Sequence, residues 1–298
     1  MITATSNRAP TQSATGRRRP RNTLQLTAAR TAFKLLDRMA PDVAARWALR
    51  IWCTVPNTRG RRRDERTSPG ETSRLALPDG RSVAVEIWGE GEPVYLMHGW
   101  GGWRGQLGGF VDPLVTAGRR VVAVDAPSHG ESAPGILGPG RATAIEFIDA
   151  LTAATATHGR AGAVVAHSLG CTSTALAIAG GMPVEKLALL APHPNVMSLT
   201  RAMSQTLGYG ARTRALFDTR LEALAGRPLA DFDLTALPGP PGTLVVHDLE
   251  DKESPYTGTA LLADSWEDAE LLTTTGLGHQ RILRDPDVIA AVVAHVTS

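Results

Sequence analysis

Short runs of apolar residues alternate along the chain with longer stretches in which apolar residues recur every three or four positions. The short runs, at residues 94–97, 121–124, 163–166, 187–190, 243–246 and 270–272, predict strands. The longer stretches, at 106–117, 141–158, 169–179, 258–263 and 286–295, predict helices. Ahead of them, residues 73–77 and 83–88 alternate around the turn tripeptide Pro78-Asp79-Gly80 and predict a hairpin. Such alternation specifies an α/β fold with a mostly parallel central sheet and helices on both faces. The loops at the carboxyl ends of its strands are the expected place for a site.

Two stretches stand outside that pattern. The 50 residues from 192 to 241 separate two strands and contain three short helical patterns, 199–207, 213–217 and 221–224. That is long for a plain connection, and it is read either as a small helical lid over the cleft or as ordinary helical packing. At the front, residues 22–53 predict two helices, the second opened by Pro41-Asp42 and carrying Trp47 and Trp52, with Arg46 and Arg50 on its wet side. A basic amphipathic helix with tryptophans suits a membrane surface. It equally suits an arm packed on the main domain or covering its cleft, and its short length and attachment to a core domain favour the packed arm.

The division expected is a disordered basic tail at 1–21, a helical arm and charged linker at 22–71, and a main domain at 72–298 with the lid at about 192–241. Composition changes this picture little, since 43% hydrophobic and 20% charged residues are ordinary for a globular chain. Charge changes it more. Residues 1–70 hold 15 Lys/Arg against 4 Asp/Glu, leaving 16 against 25 for the remainder, so a net charge of +2 joins a basic front to an acidic body. Arg17-Arg18-Arg19 resembles a twin-arginine signal, but Arg30, Lys34, Asp37 and Arg38 interrupt the apolar stretch such a signal needs. Cys53 and Cys171 are too few for a disulfide framework and fit no metal site. The expectation is therefore a reducing, cytoplasmic compartment, with no metal or organic cofactor, no nucleic-acid partner and an unread oligomeric state.

The chemistry gathers at Val164-Val165-Ala166-His167-Ser168-Leu169-Gly170, where an apolar strand ends abruptly at a serine and a helix pattern begins. A strand, sharp turn and helix of this kind lifts a serine hydroxyl above the sheet edge. The hydroxyl then needs a base, an acid to orient the base, and N–H donors for an oxyanion. His279 follows the last strand and precedes the last helix, the right place for the base. The acid lies in the loop after residues 243–246, where Asp248, Glu250, Asp251 and Glu253 compete. The glycine-rich stretch His98-Gly99-Trp100-Gly101-Gly102-Trp103 is the oxyanion-loop candidate, with the N–H groups of Trp100 and Leu169 as donors. His98, Gly99, Trp103, His129 and His193 are expected to line the cleft. No Gly-Lys-Ser/Thr and no G-x-G-x-x-G accompanies the glycines, which excludes a nucleotide role for them.

These residues resemble the α/β-hydrolase superfamily over about 72–298. The resemblance rests on His98-Gly99-Trp100-Gly101-Gly102, Asp125-Ala126-Pro127-Ser128-His129-Gly130-Glu131-Ser132, Ala166-His167-Ser168-Leu169-Gly170 and Gly278-His279, in the family's order. It implies an α/β-hydrolase fold and a Ser168-Asp251-His279 triad. Asp251 is chosen because Pro255 follows four residues later, with Asp248 in reserve. Ala166, Cys171 and Ser128 stand where the family more often has glycine or another small residue. The front helices resemble those of a bacterial subgroup. The implied activity is hydrolysis of a carboxylic ester or thioester through an acyl-enzyme, with a hydrophobic acyl part favoured. Acyl transfer by the same triad, or a membrane-associated binding module using residues 22–53, are the alternatives. Haloalkane and epoxide branches carry Asp where Ser168 stands.

Overall fold

The computed structural model describes residues 20–57, 63–240 and 242–298. The expected tail at 1–21 lies almost wholly outside the described residues, as do Gly60, Arg61 and Arg62 of the linker; the first helix begins at Pro20. In chain order the elements are α1 (Pro20–Met39), α2 (Pro41–Trp52), β1 (Glu71–Ala76), β2 (Ser82–Trp88), β3 (Pro93–Met97), a 3-10 segment (Arg104–Phe110), α3 (Val111–Thr116) and β4 (Arg120–Val124). There follow α4 (Ala144–His158), β5 (Ala161–His167), α5 (Leu169–Ala179), β6 (Val184–Leu190), α6 (Val196–Leu207), α7 (Ala211–Ala225), β7 (Thr243–Asp248), α8 (Tyr256–Ser265), β8 (Ala269–Thr274), the single turn α9 (Gly278–Arg281) and α10 (Pro286–Thr297).

The eight strands form one sheet in the order β1-β2-β4-β3-β5-β6-β7-β8. The pairs β1·β2 and β2·β4 are antiparallel and the other five are parallel. β3 and β5 are buried along their whole length, which is why they read as unbroken apolar runs. One face of the sheet packs on α4, α5 and α8 through Phe147, Leu151, Ala175, Leu262 and Trp266. The other packs on the 3-10 segment, α3 and α10 through Leu107, Phe110, Leu114, Val288 and Val292.

Four of the expected helices are redrawn. The stretch 106–117 divides into the 3-10 segment and α3; in the former, Gly108 lies so close to the linker that a Cβ there would meet Arg66 N at 2.3 Å. α4 starts at Ala144, not 141, because Thr143 and Glu146 form a reciprocal capping box there. The patterns 213–217 and 221–224 are one helix, α7, which buries Thr213, Phe217 and Leu221 on one stripe.

The two front helices do not stand apart. Phe33 of α1 and Ala44, Ala45 and Ala48 of α2 share a third core with Leu207, Phe217 and Leu221 of α6 and α7. Trp47 stacks on Phe33 at 4.3 Å between ring centroids, and Trp52 meets Phe217 edge-on at 5.8 Å. Both tryptophan rings that suited a membrane surface are thus half-buried against aromatic partners of the protein itself. No described helix is long and apolar enough to cross a membrane.

Candidate active site

Ser168 closes β5 and caps α5 with φ +53° and ψ −120°, a strained conformation for a residue with a side chain. Its neighbours hold it there. The Ser168 N–H donates to Leu190 O at 3.0 Å, tying the turn to the end of β6. Glycine is required at 170, since a Cβ would lie 2.6 Å from both Met97 O and His98 O. Glycine is required at 99 as well, where a Cβ would lie 2.8 Å from the Ser168 Cβ. The loop after β3 therefore rests directly on the turn that carries the serine. Ala166, in place of the more usual glycine, is fully buried without disturbing the turn, and its carbonyl accepts a hydrogen bond from the Cys171 thiol at 3.3 Å.

His279 lies on α9, just past β8. Its Nε2 is 3.0 Å from Ser168 Oγ and its Nδ1 is 2.7 Å from Asp251 Oδ2. The other Asp251 oxygen accepts the N–H groups of Glu253 (2.7 Å) and Ser254 (3.0 Å). Burial acts to raise the Asp251 carboxyl, but the hydrogen bonds from His279, Ser254 and Glu253 outweigh it and hold the group below the usual carboxylate range. Asp248 is occupied elsewhere. Its Oδ2 accepts from Thr274 Oγ1 (2.8 Å) and the Leu277 N–H (2.9 Å), fastening the loop that carries His279.

Leu169 is the first residue of α5, so its N–H has no acceptor within the helix and is available at the serine. Trp100 follows Gly99 on the loop pressed against Ser168, and both Trp100 and Leu169 line the cavity beside the serine. His193 also lines it, bridging Ser254 Oγ and Ser198 Oγ at 3.0 Å each and so joining the acid loop to the start of α6. Burial depresses its pKa, with His279 adding to the effect.

Four expected cleft residues lie elsewhere. His98 is buried behind the loop; Ala126 N–H donates to its Nε2 (3.1 Å), so its Nδ1–H donates to Gly99 O (2.7 Å). His129 does the same from the next loop, accepting the Gly101 N–H (3.0 Å) and donating to Pro127 O (2.9 Å). Gly99 faces the elbow, not the cavity. Trp103 turns to the linker, donating to Arg63 O at 2.8 Å with the Arg66 guanidinium 4.8 Å above its ring. Their loop positions looked alike in sequence, but a loop has no periodicity from which side-chain direction follows. Below the loop the buried Arg104 binds buried Glu86 (2.6 Å) and Asp125 and, toward the surface, exposed Glu131 (2.7 Å), fixing the root of the loop.

Sequence reading missed two groups. One is the set of arm residues in the cavity wall, Ile51, Trp52 and Cys53: an arm covering the cleft was among the expectations, but only the apolar end of α2 pointed to these positions. The other is a pair of buried histidines. His167 supports the His279 backbone, and His247 donates to Ser254 O at 2.9 Å and lies 3.5 Å from Asp251. The cavity itself holds about 580 Å³. No group of three or more His, Cys, Asp or Glu among the described residues is placed to hold a metal ion.

Comparison with known proteins gives one consistent picture. The family model described as the alpha/beta hydrolase family matches residues 94–292. A non-heme chloroperoxidase of Kitasatospora aureofaciens is 40% identical over 60 residues, which is 19% of this chain and only 20% of that protein. Among solved structures, a bromoperoxidase from Bacillus anthracis superposes with TM-score 0.58 at 16% identity, covering 76% of this chain and 100% of that one. An esterase from Exiguobacterium antarcticum gives TM-score 0.58 at 18% identity, again over 76% and 100%.

Proposed function

This chain belongs to the alpha/beta hydrolase family, and we propose that within it the protein is a serine hydrolase that cleaves a carboxylic ester or thioester through an acyl-enzyme. The observation that carries the reading is the continuous line Asp251 Oδ2, His279 Nδ1, His279 Nε2, Ser168 Oγ, with gaps of 2.7 and 3.0 Å.

In this reading His279 takes the Ser168 proton at Nε2 as Oγ attacks the acyl carbonyl, and Asp251 fixes the tautomer that leaves Nε2 free to do so. The carbonyl oxygen, now an anion, receives the N–H groups of Trp100 and Leu169. His279 returns the proton to the departing alcohol or thiol. It then draws a proton from water, whose attack on the acyl-Ser168 releases the acid and restores Oγ–H. The esterase and haloperoxidase names of the relatives belong to those proteins; the ester reading here rests on the line of side chains and the apolar cavity next to it.

The test is hydrolysis of a short p-nitrophenyl ester by the full chain and by Ser168→Ala. Loss of at least about a thousandfold in kcat/KM supports the reading. Unchanged turnover sinks it.

A further inference from the structure

The front arm is built into the cavity that holds Ser168 and His279. Ile51, Trp52 and Cys53, at the end of α2, form one of its walls. The chain leaving α2 is stitched to the body: Thr54 bridges Arg141 in antiparallel fashion, the Val55 N–H donates to Gly140 O (2.9 Å) and the Ala142 N–H to Cys53 O (3.0 Å). Pro56 then covers Gly101 of the loop after β3, where a Cβ would sit 3.2 Å from the proline ring. Trp52, edge-on to Phe217, is the partition between the arm core and the cavity.

The chemistry of the walls narrows the occupant. A volume of about 580 Å³ suits a whole small ligand rather than a two-carbon acyl group. Away from Ser168 the lining is mostly apolar side chains of α2, α4, α6 and α7, with Thr143 and Thr206 as polar exceptions and no Lys or Arg. An anionic acyl group would meet Glu253 and no countercharge. Ile51, Ala202 and Thr206 line the cavity and are exposed, so they mark its rim; Leu221, Leu229 and Phe232 are buried and form its inner end, which Trp52 adjoins through Phe217, one turn before Leu221 on α7.

Resting on the serine-hydrolase reading, we propose that the arm is a wall of the acyl pocket, that the substrate class is esters or thioesters of uncharged, medium-to-long fatty acyl groups, and that Trp52 sets the acyl length accepted. The chain lies among α2, α6 and α7, with its carbonyl at Ser168.

The experiment uses the full chain and p-nitrophenyl acetate, octanoate and dodecanoate. For the wild type, kcat/KM rises from acetate to octanoate by about fourfold per methylene, the equivalent of ~0.8 kcal/mol. Trp52→Ala, which lengthens the pocket, raises the dodecanoate-to-acetate ratio about tenfold or more, and Ala225→Phe, which fills the α7 wall, lowers it by a similar factor. The second variant reports even where the first loosens the arm. A ratio within about twofold of wild type in both variants overturns the wall role while the hydrolase reading stands. Acetate turnover that survives Ser168→Ala overturns that reading and this proposal together.

Discussion

His167 Nε2 lies 2.9 Å from the carbonyl oxygen of His279 and donates its hydrogen to it. The residue before Ser168 thereby holds the backbone of His279, across 112 positions of sequence. The two rings sit 4.8 Å apart, so any movement of the His279 turn is transmitted to the elbow. His167→Ala leaves a buried carbonyl without its donor, a loss of about 1–3 kcal/mol. It also lets the His279 ring drift, and kcat is expected to fall ten- to a hundredfold with KM little changed. His167→Gln, whose amide can donate to the same oxygen, recovers part of kcat. Steady-state kinetics of the two variants make the check; equal kcat for wild type and His167→Ala contradicts the role.

Acid stability follows from the same residue. Burial, with His279 adding to it, pushes the His167 pKa down to about 3 from an ordinary 6.5. The folded protein therefore keeps this ring neutral while the unfolded chain protonates it, so stability is full above pH 6.5 and falls as the pH drops toward 3. Asp251, held below the usual carboxylate range, adds a loss at the acid end of that window. Denaturant midpoints measured from pH 7 to pH 4 are expected to fall steadily. In His167→Gln the decline is shallower by up to about 1.4 kcal/mol per pH unit.

Asp248 and Asp251 separate cleanly by experiment. Asp251→Asn leaves His279 in the wrong tautomer, and kcat drops by about 10⁴ while the melting temperature hardly moves. Asp248→Ala frees the Thr274 hydroxyl and the Leu277 N–H instead. It costs about 1–3 kcal/mol of stability and reduces kcat less than tenfold at low temperature. Swapped outcomes would exchange the two roles.

The elbow depends on Gly170 more than on the unusual Ala166. A methyl at 170 collides with two carbonyl oxygens of the strand end and loop beneath it. Gly170→Ala is expected to cost several-fold in soluble yield and at least about tenfold in kcat, because the turn moves away from the Trp100 N–H. Ala166→Gly changes stability by less than about 1 kcal/mol. Thermal melts and ester turnover of both variants test the contrast.

Much of this was legible in the residues. β3 to β7 announced themselves because burial on both faces makes a strand an unbroken apolar run; the elbow and Asp251 follow such runs, and His279 follows the half-exposed β8. What lay hidden depends on contacts between distant segments. α7 looked like two helices because Asp218, Thr219 and Arg220 interrupt its apolar residues. Only the docked arm shows that Phe217 and Leu221 form one stripe. For Trp52 the sequence favours a packed arm over a membrane surface but does not name its partner, because Phe217 is 165 positions away in the chain. Trp103 and Trp100 were indistinguishable until the linker claimed one and the cavity the other. Chain geometry leaves Asp248 and Asp251 open; the Pro255 spacing of the family resemblance points to Asp251, and that is the carboxylate hydrogen-bonded to His279.

The most direct measurement is the mass of the intact protein, and of its peptides, after treatment with a fluorophosphonate. A single adduct on Ser168 is expected, formed at least about a thousandfold more slowly in His279→Ala, where Oγ has no base. An unmodified Ser168 in the folded wild-type protein, or labelling at the same rate in His279→Ala, contradicts it.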